Sequence, residues 1–115
     1  MKTRYLFGIP FVTIFIKNIE VECLIDTGFN GALMLPKENV DTLHLPRAGV
    51  AEYMLADGSA SSSEVYLSEI RWLNETRKAL IVAGESDVAL VGMGLLKHAK
   101  TTINPSKNTL TIETN

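Results

Sequence analysis

Two apolar, β-branched segments, Phe11–Ile16 and Ile19–Ile25, are separated by nothing but Lys17-Asn18. So short a polar break between two strand-forming runs reads as a hairpin. The second run alternates, with Ile19, Val21 and Cys23 on one face and Glu20, Glu22 and Leu24 on the other. It delivers Asp26-Thr27-Gly28, a triplet found once in the 115 residues. A carboxylate on the lip of a buried strand is costly unless hydrogen bonds or a shared proton compensate it. Structural loops seldom need that arrangement; a catalytic aspartate does.

Strand signals continue along the chain. Ala32–Leu35 is a short strand ended by Pro36, and Lys37–Leu43 behind it suits one or two helical turns. Val50–Leu55 and Ser63–Ile70 flank Ala56–Ala60, where Asp57-Gly58 signals a tight turn with positive φ at both central positions. Arg77–Val82 and Val88–Val91 read as further strands. Gly92–Lys100 holds the best short helix, at Leu95–Ala99, and Thr101–Asn104 with Thr109–Glu113 form a closing hairpin.

Near the N-terminus, basic Met1–Arg4 precedes the almost wholly apolar Tyr5–Ile16, a pattern superficially like a secretory signal. Pro10 and Thr13 interrupt it, no small-residue cleavage site follows, and it is too short to cross a bilayer as a helix. It reads as a buried strand. The expectation is one domain over residues 1–115, an all-β closed barrel with one short helix towards the C-terminus.

A net charge of -2 and basic residues that never run beyond two in a row argue against nucleic acid and anionic membrane as partners. The single cysteine, Cys23, excludes an intramolecular disulfide and fits a reducing compartment, so the expected location is the cytoplasm.

Three stretches then acquire a joint meaning: Leu24–Gly31 with Leu35-Pro36, Leu55–Ser59, and Leu90–Leu96. In order and spacing they resemble the retropepsin-like aspartic peptidases, in particular the small stand-alone prokaryotic type, over residues 9 to 113. The resemblance implies an acid-protease barrel that uses no cofactor and no metal. It implies that Asp26, Thr27 and Gly28 are catalytic, and that a flap of Ala56, Asp57, Gly58 and Ser59 closes over an extended peptide. Phe29, Val91 and Gly92 complete the implied substrate-binding set. One triplet per chain implies a homodimer, since the two carboxylates that share a proton must come from two subunits.

The chain departs from the viral members at Met93-Gly94, where they carry arginine followed by Asp or Asn after the glycine. Neither residue makes ionic contacts, so the viral style of subunit interface is not implied. Asp57 is the one rival for a second acid within a chain, yet Gly58 and Ser59 suit a hairpin tip better. Cys23 reads as a small core residue, and His44 and His98 stand alone without metal-ligand spacing. Tyr53 and Trp72 read as core. The leading expectation is an aspartic endopeptidase; the alternative is a non-catalytic peptide-binding or dimerisation module of the same fold.

Overall fold

Three two-residue turns, Phe7-Gly8, Lys17-Asn18 and Leu73-Asn74, have both members at positive φ (51° and 76°, 50° and 66°, 53° and 64°). This is the mirror-image turn whose twist matches that of the strands it joins. The computed structural model describes all 115 residues, and the turns organise them into ten strands and two short helices. In chain order these are β1 (Thr3–Leu6), β2 (Ile9–Ile16), β3 (Ile19–Ile25), β4 (Leu33–Pro36) and α1 (Lys37–Leu43). After them come β5 (Arg47–Met54), β6 (Ala60–Trp72), β7 (Glu75–Gly84), β8 (Ala89–Val91), α2 (Met93–Leu96), β9 (Ala99–Asn104) and β10 (Thr109–Thr114).

Eight strands form one sheet in the order β1-β2-β3-β8-β4-β7-β6-β5. The sheet curls back on itself, because β2 also pairs with β6 through Phe15↔Arg71 and Ile16↔Ile70. Six strands thereby close a ring, and the all-β barrel expected from the sequence is what the chain forms. β9 and β10 make a separate hairpin, tied to β1 where the Tyr5 hydroxyl donates to the Thr109 carbonyl at 3.0 Å.

The core follows from period-2 alternation. Along β2, Val12, Ile14 and Ile16 point inward and are essentially unexposed, and Cys23 and Ile25 do the same from β3. Eighteen buried residues, among them Trp72, Leu33, Leu35, Ile81 and Leu95, form the main cluster. A smaller one, Phe29, Met34, Val65 and Val82, lies between the sheet and the β5–β6 hairpin.

Three expectations are corrected in detail. The apolar run from Tyr5 to Ile16 is not one strand, because Gly8 supplies the positive φ at which the chain reverses into β1 and β2. The C-terminal helix sits earlier, at Met93–Leu96, since the Gly92 carbonyl accepts the N–H groups of both Leu95 and Leu96 at 3.1 Å. The other helix, α1, lies at Lys37–Leu43, where one or two helical turns are expected.

The Asp57-Gly58 turn also differs. Only Gly58 has positive φ (85°), and the loop is longer, with Leu55 N–H donating to the Ser59 carbonyl and Gly58 N–H to the Leu55 carbonyl. A type I turn followed by a left-handed glycine gives this geometry.

Candidate active site

β8 is the strand that builds the site. It is apolar throughout and runs between β3 and β4, parallel to the first and antiparallel to the second, with Val91 opposite both Ile25 and Leu33. This pairing places the loop after β3 against the loop after β8. Asp26 N–H donates to the Val91 carbonyl at 2.9 Å, Gly92 N–H to Ala32 O at 3.0 Å, and Met93 N–H to Phe29 O at 2.8 Å. Gly94 N–H completes the weave on Gly31 O at 2.9 Å. Side chains have no room here: a Cβ on Gly94 would lie 2.6 Å from the Ala32 nitrogen. Glycine at Gly92 and Gly94 is therefore a packing requirement.

Asp26 leaves this weave half-buried, with Thr27 exposed beside it. Gly28 N–H donates to Asp26 Oδ1 at 2.9 Å, which fixes the carboxylate against its own loop and leaves Oδ2 for other partners. The β5–β6 hairpin reaches over this loop. A Cβ placed on Gly28 would lie 2.5 Å from Ala56 Cβ and 2.8 Å from its Cα, so the tip rests where only glycine leaves space.

The tip is organised by Asp57, whose Oδ1 accepts Ser59 N–H at 2.9 Å and the Ser59 hydroxyl at 2.6 Å. Those bonds hold the Asp57 carboxyl below its ordinary range. Its oxygen is thus engaged in the turn. Ala56, Asp57, Gly58 and Ser59 are all exposed.

Three residues expected to touch a ligand are placed otherwise. The Phe29 ring is fully buried behind the loop and meets Tyr53 edge-on, with centroids 5.9 Å apart. Val91 is also unexposed and faces the main core, and Gly92 is buried beneath Phe29. These residues support the loop from inside. On the alternating strand β8 it is Leu90, half-buried, that packs towards the β5–β6 hairpin.

Asn30 is a residue the sequence reading passed over. Its Oδ1 accepts Met54 N–H at 2.8 Å, and its own N–H donates to Met54 O at 3.4 Å, clamping the hairpin to the loop just below its tip. The signal was available, since Asn in a loop readily substitutes its side chain for a backbone partner. Tyr53 was assigned to the core, and it is half-buried against Phe29.

Alongside Asn30 opens a groove of about 340 Å³, lined by Ala51, Tyr53, Leu80 and Val82 among others. Its size is within the ~300–1,000 Å³ common for ligand sites. The largest cavity, about 570 Å³, lies elsewhere among Phe15, Lys17, Glu69, Arg71 and Lys78 and contains none of the triplet. The triplet lines neither of them; the smaller groove lies against Asn30–Ala32, the continuation of the Asp26 loop.

Cys23 is unexposed, and burial, helped by neighbouring Glu22, pushes its thiol up to about 12. It is not a nucleophile at neutral pH. Glu22 in turn is held below its usual range by the hydrogen bonds from Arg4, at 2.5 and 2.7 Å.

No protein-family model and no curated protein matches the sequence. Solved structures do match. A retropepsin-like aspartic protease from Rickettsia conorii superposes with a TM-score of 0.65 at 21% identity, covering 96% of this chain and 86% of that one. The retroviral protease-like domain of Ddi1 from Leishmania major gives 0.53 at 13% identity, covering 97% and 88%. The foamy viral protease-reverse transcriptase gives 0.59 at 15% identity over 81% of this chain, which corresponds to 12% of that longer one. The fold is retropepsin-like.

Proposed function

We propose that this retropepsin-like chain is an aspartic endopeptidase whose acid pair forms when two copies meet, each contributing Asp26. The observation that carries the reading is the half-buried Asp26 on a loop woven from β3 and β8, with Oδ1 anchored by Gly28 N–H and the β5–β6 tip overhead. A single chain brings one such acid to the loop, and Asp57 is engaged in its own turn.

Two carboxylates held together carry one proton between them. The ionised member takes a proton from a water molecule as that water attacks the peptide carbonyl carbon. The protonated member donates its proton to the carbonyl oxygen. The tetrahedral intermediate then collapses: the C–N bond breaks, the nitrogen takes a proton from the pair, one of the two hydroxyls returns its proton to the pair, and an acid and an amine leave. No covalent enzyme intermediate forms. Thr27 positions the loop towards its counterpart. The β5–β6 hairpin acts as a flap that lifts to admit an extended peptide and then excludes water, and its small residues, Ala56 and Gly58 to Ser63, suit that movement. The groove beside Asn30, lined by Tyr53 and Leu80 and also by Glu52, Arg77 and Lys78, would receive a substrate side chain.

The partners proposed are a second copy and an extended peptide. The location proposed is the cytoplasm, supported by the lone buried cysteine. No helix is long and apolar enough to cross a membrane.

The test is hydrolysis of an unstructured peptide by the parent and by Asp26→Asn. The variant should remain folded and dimeric and lose cleavage by at least about a thousandfold, the scale on which loss of a catalytic group is felt. Equal turnover by both proteins would refute the assignment. One observation favours a second reading, a non-catalytic binding or dimerisation module: Ala56 already occupies the space above Gly28. A folded, dimeric parent that binds peptides without cleaving them would establish that alternative.

A further inference from the structure

The β1–β2 turn places a phenylalanine where the fold alone gives no reason for one. Phe7 is 94% exposed, more than any other large hydrophobic residue of the chain. It also adopts a left-handed conformation (φ 51°) that bulky side chains disfavour and that Asn or Gly adopts readily. Water-exposed and conformationally costly, Phe7 contributes nothing to the isolated chain.

Its surroundings are informative. Leu6 and Ile9, which pair across the same turn, are 38% and 42% exposed. The β2–β3 ladder pairs Phe11 with Leu24, and continued two residues further it brings Ile9 level with Asp26. Met93, 39% exposed, opens α2 just after β8, and its N–H donates to Phe29 O. An apolar rim of Leu6, Phe7, Ile9 and Met93 therefore shares one end of the sheet with Asp26 and Thr27.

We infer that this rim is a self-association face and that Phe7 is its anchor, inserted against the second copy. The inference rests on the proposed Asp26 pair. Chemistry singles out the occupant. Asp26 needs an identical acid opposite it, and Leu6, Phe7, Ile9 and Met93 carry no charge, so a two-fold axis opposes no like charges among them. An exposed Phe ring offers roughly 150–250 Å², a sizeable share of the ~800 Å² each partner buries in a standard interface. An apolar anchor also suits a chain in which Met93-Gly94 offers no ionic contacts.

The experiment is sedimentation velocity over a dilution series for the parent, Phe7→Asn and Phe7→Gly, with thermal melts at the dilute end. Both replacements accept positive φ, so they keep the turn. The expected result is a dimer dissociation constant raised at least about tenfold in both variants, with monomer melting unchanged or higher. A dimeric parent whose association neither variant weakens overturns the anchor and leaves the Asp26 pair standing. A parent that stays monomeric at every concentration overturns both. If the variants instead lose only binding to neutral phosphatidylcholine vesicles, Phe7 faces lipid and the inference also fails.

Discussion

The barrel body and the β5–β6 hairpin are held by different means. In the body, eighteen buried residues interlock across a ring of strands, with Ile14, Ile16, Leu33 and Ile81 at or near zero exposure. The hairpin leans on four buried residues, Phe29, Met34, Val65 and Val82, and on the polar clamps Asn30–Met54 and Asp57–Ser59. Deep packing is costly to disturb, whereas hydrogen bonds at the surface exchange readily for water. The scaffold of the candidate acid is thus deeply packed, whereas the outer part of the hairpin above it rests on fewer buried side chains and on exposed hydrogen bonds. Proteins draw their moving parts from such low-stability regions.

The largest effect should come from the body. Ile14→Ala removes three inward carbons from a fully packed site and should lower global unfolding stability by about 2–5 kcal/mol, read by urea denaturation. If it cost no more than a surface change, the contrast between the two regions would fail. An intermediate effect belongs to the hairpin. Asn30→Ala deprives Met54 N–H of its acceptor and should cost only about 0.5–1.5 kcal/mol. Amide exchange should speed up in residues 48–60, while β2 and β3 stay protected. Uniform acceleration would show that hairpin and body open together.

The smallest effect at neutral pH concerns Cys23. Its folded thiol ionises near 12, well above an unfolded thiol at about 8.5. The folded state therefore gains full stability from the neutral thiol below pH ~8.5 and loses it progressively as pH rises towards 12. A maleimide should label native protein slowly and unfolded protein fast; rapid native labelling at neutral pH would show that the body opens at Cys23.

Much of this division was legible in the residues. Alternation in Ile19–Ile25 puts Ile19, Val21 and Cys23 on one face and Glu20, Glu22 and Leu24 on the other; Cys23 is buried accordingly and Val21 half-buried, whereas Ile19, at the start of the strand, is exposed. The retropepsin-like barrel was legible too, from the three spaced stretches. Failures arose where a local pattern serves two structures equally well. Tyr5–Ile16 is apolar on both sides of Phe7-Gly8, so the reversal left no polar break to read. Val91 and Leu90 are both apolar, and only the pairing of β8 with β3 decides that Val91 faces the core. Phe29 looks like a ligand-facing aromatic until the fold supplies Tyr53, distant in sequence, to receive it. The clamp by Asn30 depends on Met54 in the same way.

The central place of β8 has a consequence during synthesis. This strand is made after β3 and β4, yet it fills the gap between them. Until Val91 has left the ribosome, β3 and β4 lack their shared neighbour, and the Asp26 backbone lacks its acceptor. A nascent chain stopped short of that point owns the acid but cannot seat it. Pairing of segments so remote in sequence is also slow. An assembled Asp26 loop therefore has to wait until Val91 has been made.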